Sequence, residues 1–281
     1  MSWFRKGGCS SAKADSNEIG DELIARHPAS PESEAIEGAR PLAIQTPART
    51  PEPAVGPGLL YGWSSERGAR RRNEDYCGAS GDSLLFAISD GIGGGPHGDV
   101  MSRISVKRAI EAYGESGDLE DAFFQANELA SKVSHLLGEG DGATLLLAAY
   151  DRGTARLDLL SAGDTLAYRL RAGELSLLSY NEGRFRGNAL EKAVGWGEVD
   201  PDRISSDVLP GDLIVLCTDG VWEPLGEKRL AELLDEAPTA PWAAARLCEE
   251  AAKAGTDNAT AICIFAKAES STTPTAYGAE G

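Results

Sequence analysis

The chain has 281 residues, 42 % of them hydrophobic, with 44 Asp and Glu against 27 Lys and Arg and a net charge of −17. That length admits one large domain or two small ones, with enough apolar residues for a sizeable core. The acidic balance disfavours nucleic acid and anionic membrane as main partners, because both select basic surfaces.

Residues 1–56 are rich in Ala, Pro, Glu, Ser and Gly, and Pro41, Pro47, Pro51 and Pro53, with Pro57 just beyond, crowd towards the end of this stretch. With no sustained periodicity it reads as a disordered tail. Trp3 and Phe4 beside Arg5 and Lys6 read as a solvated terminus, with a short docking patch as the alternative. The folded domain is expected over 57–267, and a polar tail over 268–281. No apolar run reaches the length of a membrane helix, and the charged start has no apolar run behind it. Five scattered cysteines, at 9, 77, 217, 248 and 263, suggest no disulfide framework. A reducing compartment and a cytoplasmic location are therefore expected.

The domain opens with a strand at 59–63, a loop at 64–72 and a second strand at 73–77. The apolar run from Leu84 to Ile88 predicts a buried strand that stops at Asp90, followed by four glycines in positions 91–95. A helix is expected over 99–113, capped by Asp99, with Val106, Ala109, Ile110 and Tyr113 on one face. The next helix, 119–137, carries a stripe of Ala122, Ala126, Leu129, Ala130, Val133, Leu136 and Leu137. Strands at 143–150, 155–162, 165–171 and 174–178 follow, separated by turn signals. They form an antiparallel meander and argue against a βαβ repeat. Residues 180–205 are irregular, with a short helix at 188–194. A strand at 213–217, helices at 226–236 and 241–254, and a last strand at 259–266 complete the domain. Two stacked sheets with helices on both outer sides satisfy this order: an α+β fold in four layers, α/β/β/α, with mainly antiparallel sheets.

Four separated segments each put an acid at the end of, or beside, a strand. They are Glu74-Asp75, Asp90-Gly91, Asp219-Gly220 and Asp257. Asp-Gly is also an ordinary turn pair, so a single instance would mean little. If the strands share a sheet, the acids converge, repel one another and raise each other's pKa unless a positive group sits among them. Hard divalent cations with oxygen ligands are the natural solution. The three histidines, His27, His97 and His135, are far apart, and no Cys pair is spaced for zinc.

The set Arg70-x-x-Asn73-Glu74-Asp75, Asp90-Gly-Ile-Gly-Gly, Gly142-Ala-Thr144, Gly163-Asp164, Thr218-Asp219-Gly220 and Asp257-Asn258 resembles the metal-dependent serine/threonine protein phosphatases of the type-2C family, in its bacterial form. Order and spacing both match, from about Gly56 to about Ala266. The resemblance implies hydrolysis of phosphoserine and phosphothreonine in proteins by a water bridging two divalent cations, Mg²⁺ or Mn²⁺. It implies that Asp90 bridges both metals and that the Gly91 carbonyl and Asp75 serve one of them. Asp219 and Asp257 would serve the other, with Glu74 binding directly or through water and Asn258 orienting Asp257. Arg70 would hold the substrate phosphate, with Arg71 and Arg72 as the alternatives in register. A third, weaker metal site would use Asp141 or Glu139, though Gly-Glu-Gly-Asp-Gly can also be an ordinary acidic turn.

Many eukaryotic relatives carry a His after the first Asp-Gly. Here that residue is Ile92, which leaves the leaving-group acid unassigned, with His97 as a nearby candidate. The implied partners are phosphorylated proteins, a serine/threonine kinase and its substrates, with the protein a monomer that takes part in signal transduction. Residues 180–205 would be the flap beside the cleft. The competing reading is a catalytically silent phosphatase-like module that binds phosphoproteins, whose mark would be loss of a metal Asp. A haloacid-dehalogenase-like enzyme would need Asp-x-Asp, which Asp90-Gly-Ile does not provide, and a serine hydrolase would need a Gly-x-Ser-x-Gly elbow.

Overall fold

The computed structural model describes residues 54–56, 58–92, 96–137, 140–179, 185–186 and 189–267. The expected tails therefore lie outside the described residues except at Ala54–Gly56, as do Trp3, Phe4, Cys9 and Glu139. In chain order the elements are β1 (Ala54–Gly56), β2 (Leu59–Glu66), β3 (Asp75–Ser80), β4 (Leu85–Asp90), α1 (Gly98–Ser116), α2 (Leu119–Leu137), β5 (Leu145–Asp151), β6 (Arg156–Ala162), β7 (Leu166–Arg171), β8 (Glu174–Leu177), β9 (Phe185–Arg186), β10 (Ala189–Leu190), β11 (Asp202–Asp207), β12 (Leu213–Cys217), α3 (Asp219–Asp235), α4 (Ala240–Ala254) and β13 (Ala259–Ala266).

The strands form a six-stranded sheet, β1-β2-β13-β12-β7-β8, and a five-stranded sheet, β11-β6-β5-β4-β3, with β9 and β10 paired separately. Every pairing is antiparallel. Central strands are apolar on both faces because both faces are covered. Along β4, Phe86 and Ile88 enter the layer between the sheets, while Leu85 and Ala87 meet α1 and α2. Along β12, Ile214 and Leu216 face inward, while Leu213, Val215 and Cys217 meet α3 and α4. Alternation thus sorts each run into two cores. The order of layers is α1–α2, five-stranded sheet, six-stranded sheet, α3–α4.

Four local expectations need correction. No helix forms at 188–194 among the described residues: Ala189–Leu190 pairs with β9, and Val194 bridges to Ala143. β11, absent from the sequence reading, pairs with β6 along six residues. α3 starts at Asp219, well before 226, and kinks at Gly226, whose φ of 65° is readily adopted by a residue without Cβ. The stripe of α2 does not extend to its end. Leu136 and Leu137 are 82 % and 38 % exposed, and Phe123 and Ser134 take the buried face instead. Among the described residues no helix is long and apolar enough to cross a membrane.

Candidate active site

Two sheets deliver acids to one end of the molecule. In the five-stranded sheet, β3 begins where β4 ends, and the register sets Asp75 directly opposite Asp90. In the six-stranded sheet, Cys217 pairs with Ala261, so Asp219 leaves β12 on the side from which Asp257 approaches β13. Thr218 joins the two sheets. Its Oγ1 donates to Asp75 Oδ2 at 2.9 Å and accepts from the Thr260 backbone N–H at 3.1 Å. The Gly91 N–H donates to the Glu74 carbonyl at 3.0 Å, and the Ile92 N–H to the Gly142 carbonyl at 3.0 Å, which fixes the turn after Asp90. Gly91 is required by close approach: a Cβ there would collide with the Gly98 backbone at the start of α1. Gly220 is held in the same way against the Asn258 carbonyl.

These segments enclose a cleft of about 200 Å³ lined by Arg70, Glu74, Asp90, Gly91, Asp164, Asp219 and Asp257, with Ile92, Thr144, Leu190 and Asn258. Asp75 is buried behind Asp90, 4 % exposed. Burial is the first cause that raises these acids, and like charge brought close together adds to it at Asp90 and Asp219. Burial lifts Asp75 to about 6, against hydrogen bonds with Thr260, Thr218 and Asp90, and the Asp257 charge adds to the rise. Asp90 is pushed well above the usual carboxylate range by burial and then by the charges of Asp75 and Asp219. Burial lifts Asp219 to about 7, followed by the charges of Asp164, Asp75 and Asp257. Burial also raises Glu74, with Arg70 opposing. The start of α3 offsets part of the cost, because a carboxylate is favoured at a helix N-terminus.

Most of the residues expected from sequence meet here, and some do not. Arg70 reaches the cleft and donates from Nη2 to Asp257 Oδ2 at 2.5 Å. Arg72 instead bonds the Pro96 carbonyl at 3.3 Å, and neither it nor Arg71 lines the cleft, which favours the register with Arg70. Asp141 does not line the cleft. It is 5 % exposed, with Oδ2 at 3.0 Å from His97 Nδ1. That contact also draws His97, the candidate acid, to Asp141 rather than to the cleft. The Asn258 side chain does not hold Asp257. Its Oδ1 accepts from the Glu74 N–H at 2.8 Å, and its Nδ2 donates to the Arg67 and Arg72 carbonyls at 2.7 and 2.9 Å. Asn258 therefore fastens the arginine loop, and only its backbone N–H reaches Asp257 Oδ1, at 2.8 Å. Sequence reasoning missed the bridging role of Thr218. It also gave no task to Asp164, whose Gly163-Asp164 order reverses the Asp-Gly signal that found Asp90.

The donors are all oxygen, and buried Asp75 Oδ1 and Asp219 Oδ1 have no hydrogen-bond partner. Among the described residues no group of three or more Asp, Glu, His or Cys side chains is arranged so that it could hold a metal ion by itself. Mg²⁺ and Mn²⁺ do not require one, since Mg²⁺ keeps several waters and binds through one or two carboxylates, and carboxylate, carbonyl and water ligands suit Mn²⁺ equally. Asp90, Gly91, Glu74, Asp219 and Asp257 line the cleft and Asp75 is buried beside Asp90, and oxygen donors of this kind are chemically compatible with such partly hydrated cations.

The family model described as Stage II sporulation protein E (SpoIIE) matches residues 80–265. The chain belongs to the SpoIIE/type-2C phosphatase family. The serine/threonine protein phosphatase PstP of Mycobacterium tuberculosis is 30 % identical over 236 residues, 73 % of this chain and 44 % of that relative. The chain thus spans less than half the length of that curated relative. The SpoIIE/type-2C domain also superposes on solved structures. The catalytic domain of PstP, in complex with two manganese ions, is 28 % identical with a TM-score of 0.67, over 75 % of this chain and 99 % of that one. The PPM Ser-Thr phosphatase MsPP of Mycobacterium smegmatis, in complex with cacodylate, is 26 % identical with a TM-score of 0.66, over 73 % and 97 %. PppA, a regulatory component of T6SS in Pseudomonas aeruginosa, is 26 % identical with a TM-score of 0.67, over 76 % and 100 %.

Proposed function

We propose that the domain is a divalent-cation-dependent phosphatase acting on phosphoserine and phosphothreonine in proteins. The observation that carries this reading is the convergence of carboxylates from two sheets on one cleft that also holds Arg70. Two bound Mg²⁺ or Mn²⁺ ions supply neutralisation of phosphate charge and a water acidic enough to react near neutral pH. Asp75, Asp90, Asp219 and Asp257, with Glu74 and the Gly91 carbonyl, hold them. Asp75 and Asp90 fix the geometry from a rigid strand pair, and Thr218 keeps the second sheet in step. The Arg70 fork suits two phosphate oxygens better than a lysine would, and the loop that carries it is tied down by Asn258. Phosphorylated proteins, together with a serine/threonine kinase acting on the same substrates, are the partners. A monomer in a cytoplasmic signalling setting completes the proposal.

Folded protein titrated with Mn²⁺ and with Mg²⁺ is expected to hydrolyse an aryl phosphate and phosphothreonine peptides, most strongly with Mn²⁺. No hydrolysis with either metal would favour the phosphoprotein-binding module. Arg70→Ala is expected to raise KM for a phosphopeptide by roughly tenfold or more, the value of a charged hydrogen bond. Its Mn²⁺ affinity should change far less, because the half-exposed pair with Asp257 contributes little. Arg71→Ala should leave KM nearly unchanged. A larger effect at Arg71 or Arg72 would shift the phosphate contact to that residue.

A further inference from the structure

α2 and the segment between β10 and β11 enclose a groove of about 740 Å³, against about 200 Å³ for the catalytic cleft. Phe124, Asn127 and Glu128 stand on the helix wall, and residues 197–200 form the facing wall. The two walls are fastened to each other. Asn127, 8 % exposed, donates from Nδ2 to the Gly197 carbonyl at 2.8 Å and accepts the Gly195 N–H on Oδ1 at 3.1 Å. Arg203, near the start of β11, donates from Nε to Glu120 Oε1 in the first turn of α2 at 2.7 Å. A groove with fixed walls can receive a chain without first being ordered, which removes one cost of binding.

The lining has a definite chemistry. Phe124 is 41 % exposed and touches the buried Phe123 only edge-on, with ring centroids 5.8 Å apart. Glu128, Glu198 and Asp200 line the groove around it, and no Lys or Arg does. Glu128 pairs with Lys132 and Asp200 with Arg203, but those acids are 64 % and 84 % exposed, and such pairs contribute little. An incoming cation can therefore take their place. An aromatic ring set among acids selects a chain with the opposite pattern: one apolar side chain to cover the ring, with basic residues on either side. The groove also has a fixed relation to the cleft. Leu190 lines the cleft and Gly197 lines the groove. Seven residues of chain separate them by at most about 25 Å, so a single extended partner can occupy both.

We propose that this groove docks a basic segment of the phosphoprotein substrate, a stretch with one large apolar side chain flanked by Lys or Arg, while the phosphorylated residue lies in the cleft. This rests on the phosphatase reading above and adds a second grip, remote from the reacting atoms. Two linked contacts make the second binding step intramolecular, so KM falls for substrates that carry both while kcat stays the same.

The test uses the full chain as wild type, Phe124→Ala and Glu198→Lys. Both positions are exposed, so both variants should melt close to wild type. Three probes are needed: a fluorescein-labelled peptide with one Trp between two pairs of Lys, a plain phosphothreonine peptide, and the two joined by about twelve Gly and Ser residues, which span roughly 20 Å. By fluorescence anisotropy, wild type is expected to bind the labelled peptide less tightly as salt is raised. Phe124→Ala should weaken that binding by about tenfold or more, and Glu198→Lys by severalfold. With Mn²⁺, KM for the joined peptide should lie about tenfold or more below that for the plain one, and both variants should lose this advantage with kcat unchanged. If wild type does not bind the labelled peptide, or both variants bind it equally well, the proposal is overturned whatever the turnover. An equal KM for joined and plain peptides overturns it too. If wild type sediments as a dimer and Phe124→Ala as a monomer, the groove is filled by a second copy and the proposal fails. Binding as expected with no hydrolysis of either phosphopeptide sinks the phosphatase reading instead, and leaves the groove's selection of a basic segment standing.

Discussion

Asp219→Asn is expected to lower turnover by about a thousandfold or more while raising the melting temperature of the metal-free domain. Cations that neutralise phosphate charge contribute several kcal/mol, and each 1.36 kcal/mol is a factor of ten. Asp219 is suited to that task by its place: its Oδ1 is buried without a partner, and it opens α3 directly after a rigid strand. In chelator the same carboxylate opposes folding, because it is buried and because Asp164, Asp75 and Asp257 act on it with like charge. The two effects therefore have opposite signs in one variant, which a merely damaged fold would not produce. A single-turnover assay and a thermal-shift titration with Mn²⁺ decide the matter. If the variant keeps both turnover and the Mn²⁺-induced shift, the carboxylates do not act together on a cation.

The second large effect is a reversed dependence of stability on pH. Asp75 and Asp219 have folded-state pKa values of about 6 and about 7, raised from 3.8. Between the unfolded and folded values the native state holds protons that the unfolded chain has released. Stability from these groups is thus full below the unfolded value and is lost as pH rises through the folded values. Because these acids share a cleft, they titrate as a set and the loss is less than the sum of the parts. Acids with lowered values, such as Asp207 beside Arg171, change charge below this window and do not mask it. In chelator the domain is expected to melt roughly 5 °C lower at about pH 7.5 than at about pH 5, given about 2–4 °C per kcal/mol at this size. Millimolar Mn²⁺ should abolish the slope, since one site at about 100 times its Kd contributes about 2.7 kcal/mol to the folded state alone. Calorimetry across the pH range with and without Mn²⁺ measures both. A melting temperature that rises with pH in chelator would show that the acids are not forced together.

How much of this could be read from sequence depended on burial. β4 and β12 were legible because both faces are covered, which leaves unbroken apolar runs ending in an acid. β11 was hidden because it is an edge strand with a single apolar residue, Ile204, in Asp202–Asp207. The start of α3 was misplaced because Asp219-Gly220 carries a turn signal, whereas here the pair opens a helix. The Gly at 220 serves close packing on Asn258 rather than a turn. Asp75, Asp90, Asp219 and Asp257 were legible as strand-end acids, but no periodicity could reveal that Thr218 would join Asp75 across two sheets. Nor could it reveal that Asp141 would turn to His97. Contacts between residues far apart in the chain leave no local trace.

β13 lies in the six-stranded sheet between β2 and β12, pairing with β2 along eight residues and with β12 along five. A strand near the middle of the sheet is thus the last of the described strands to be synthesised. Until it arrives, β1–β2 and β12-β7-β8 are separate ribbons, and Ile262 and Ile264 are missing from the layer between the sheets. Asp257, Asn258 and Thr260 arrive with it, so until then the cleft lacks Asp257 and the ties that Asn258 makes to the arginine loop. Completion of the six-stranded sheet and closure of the cleft are one late event, set by pairing of distant segments and correspondingly slow.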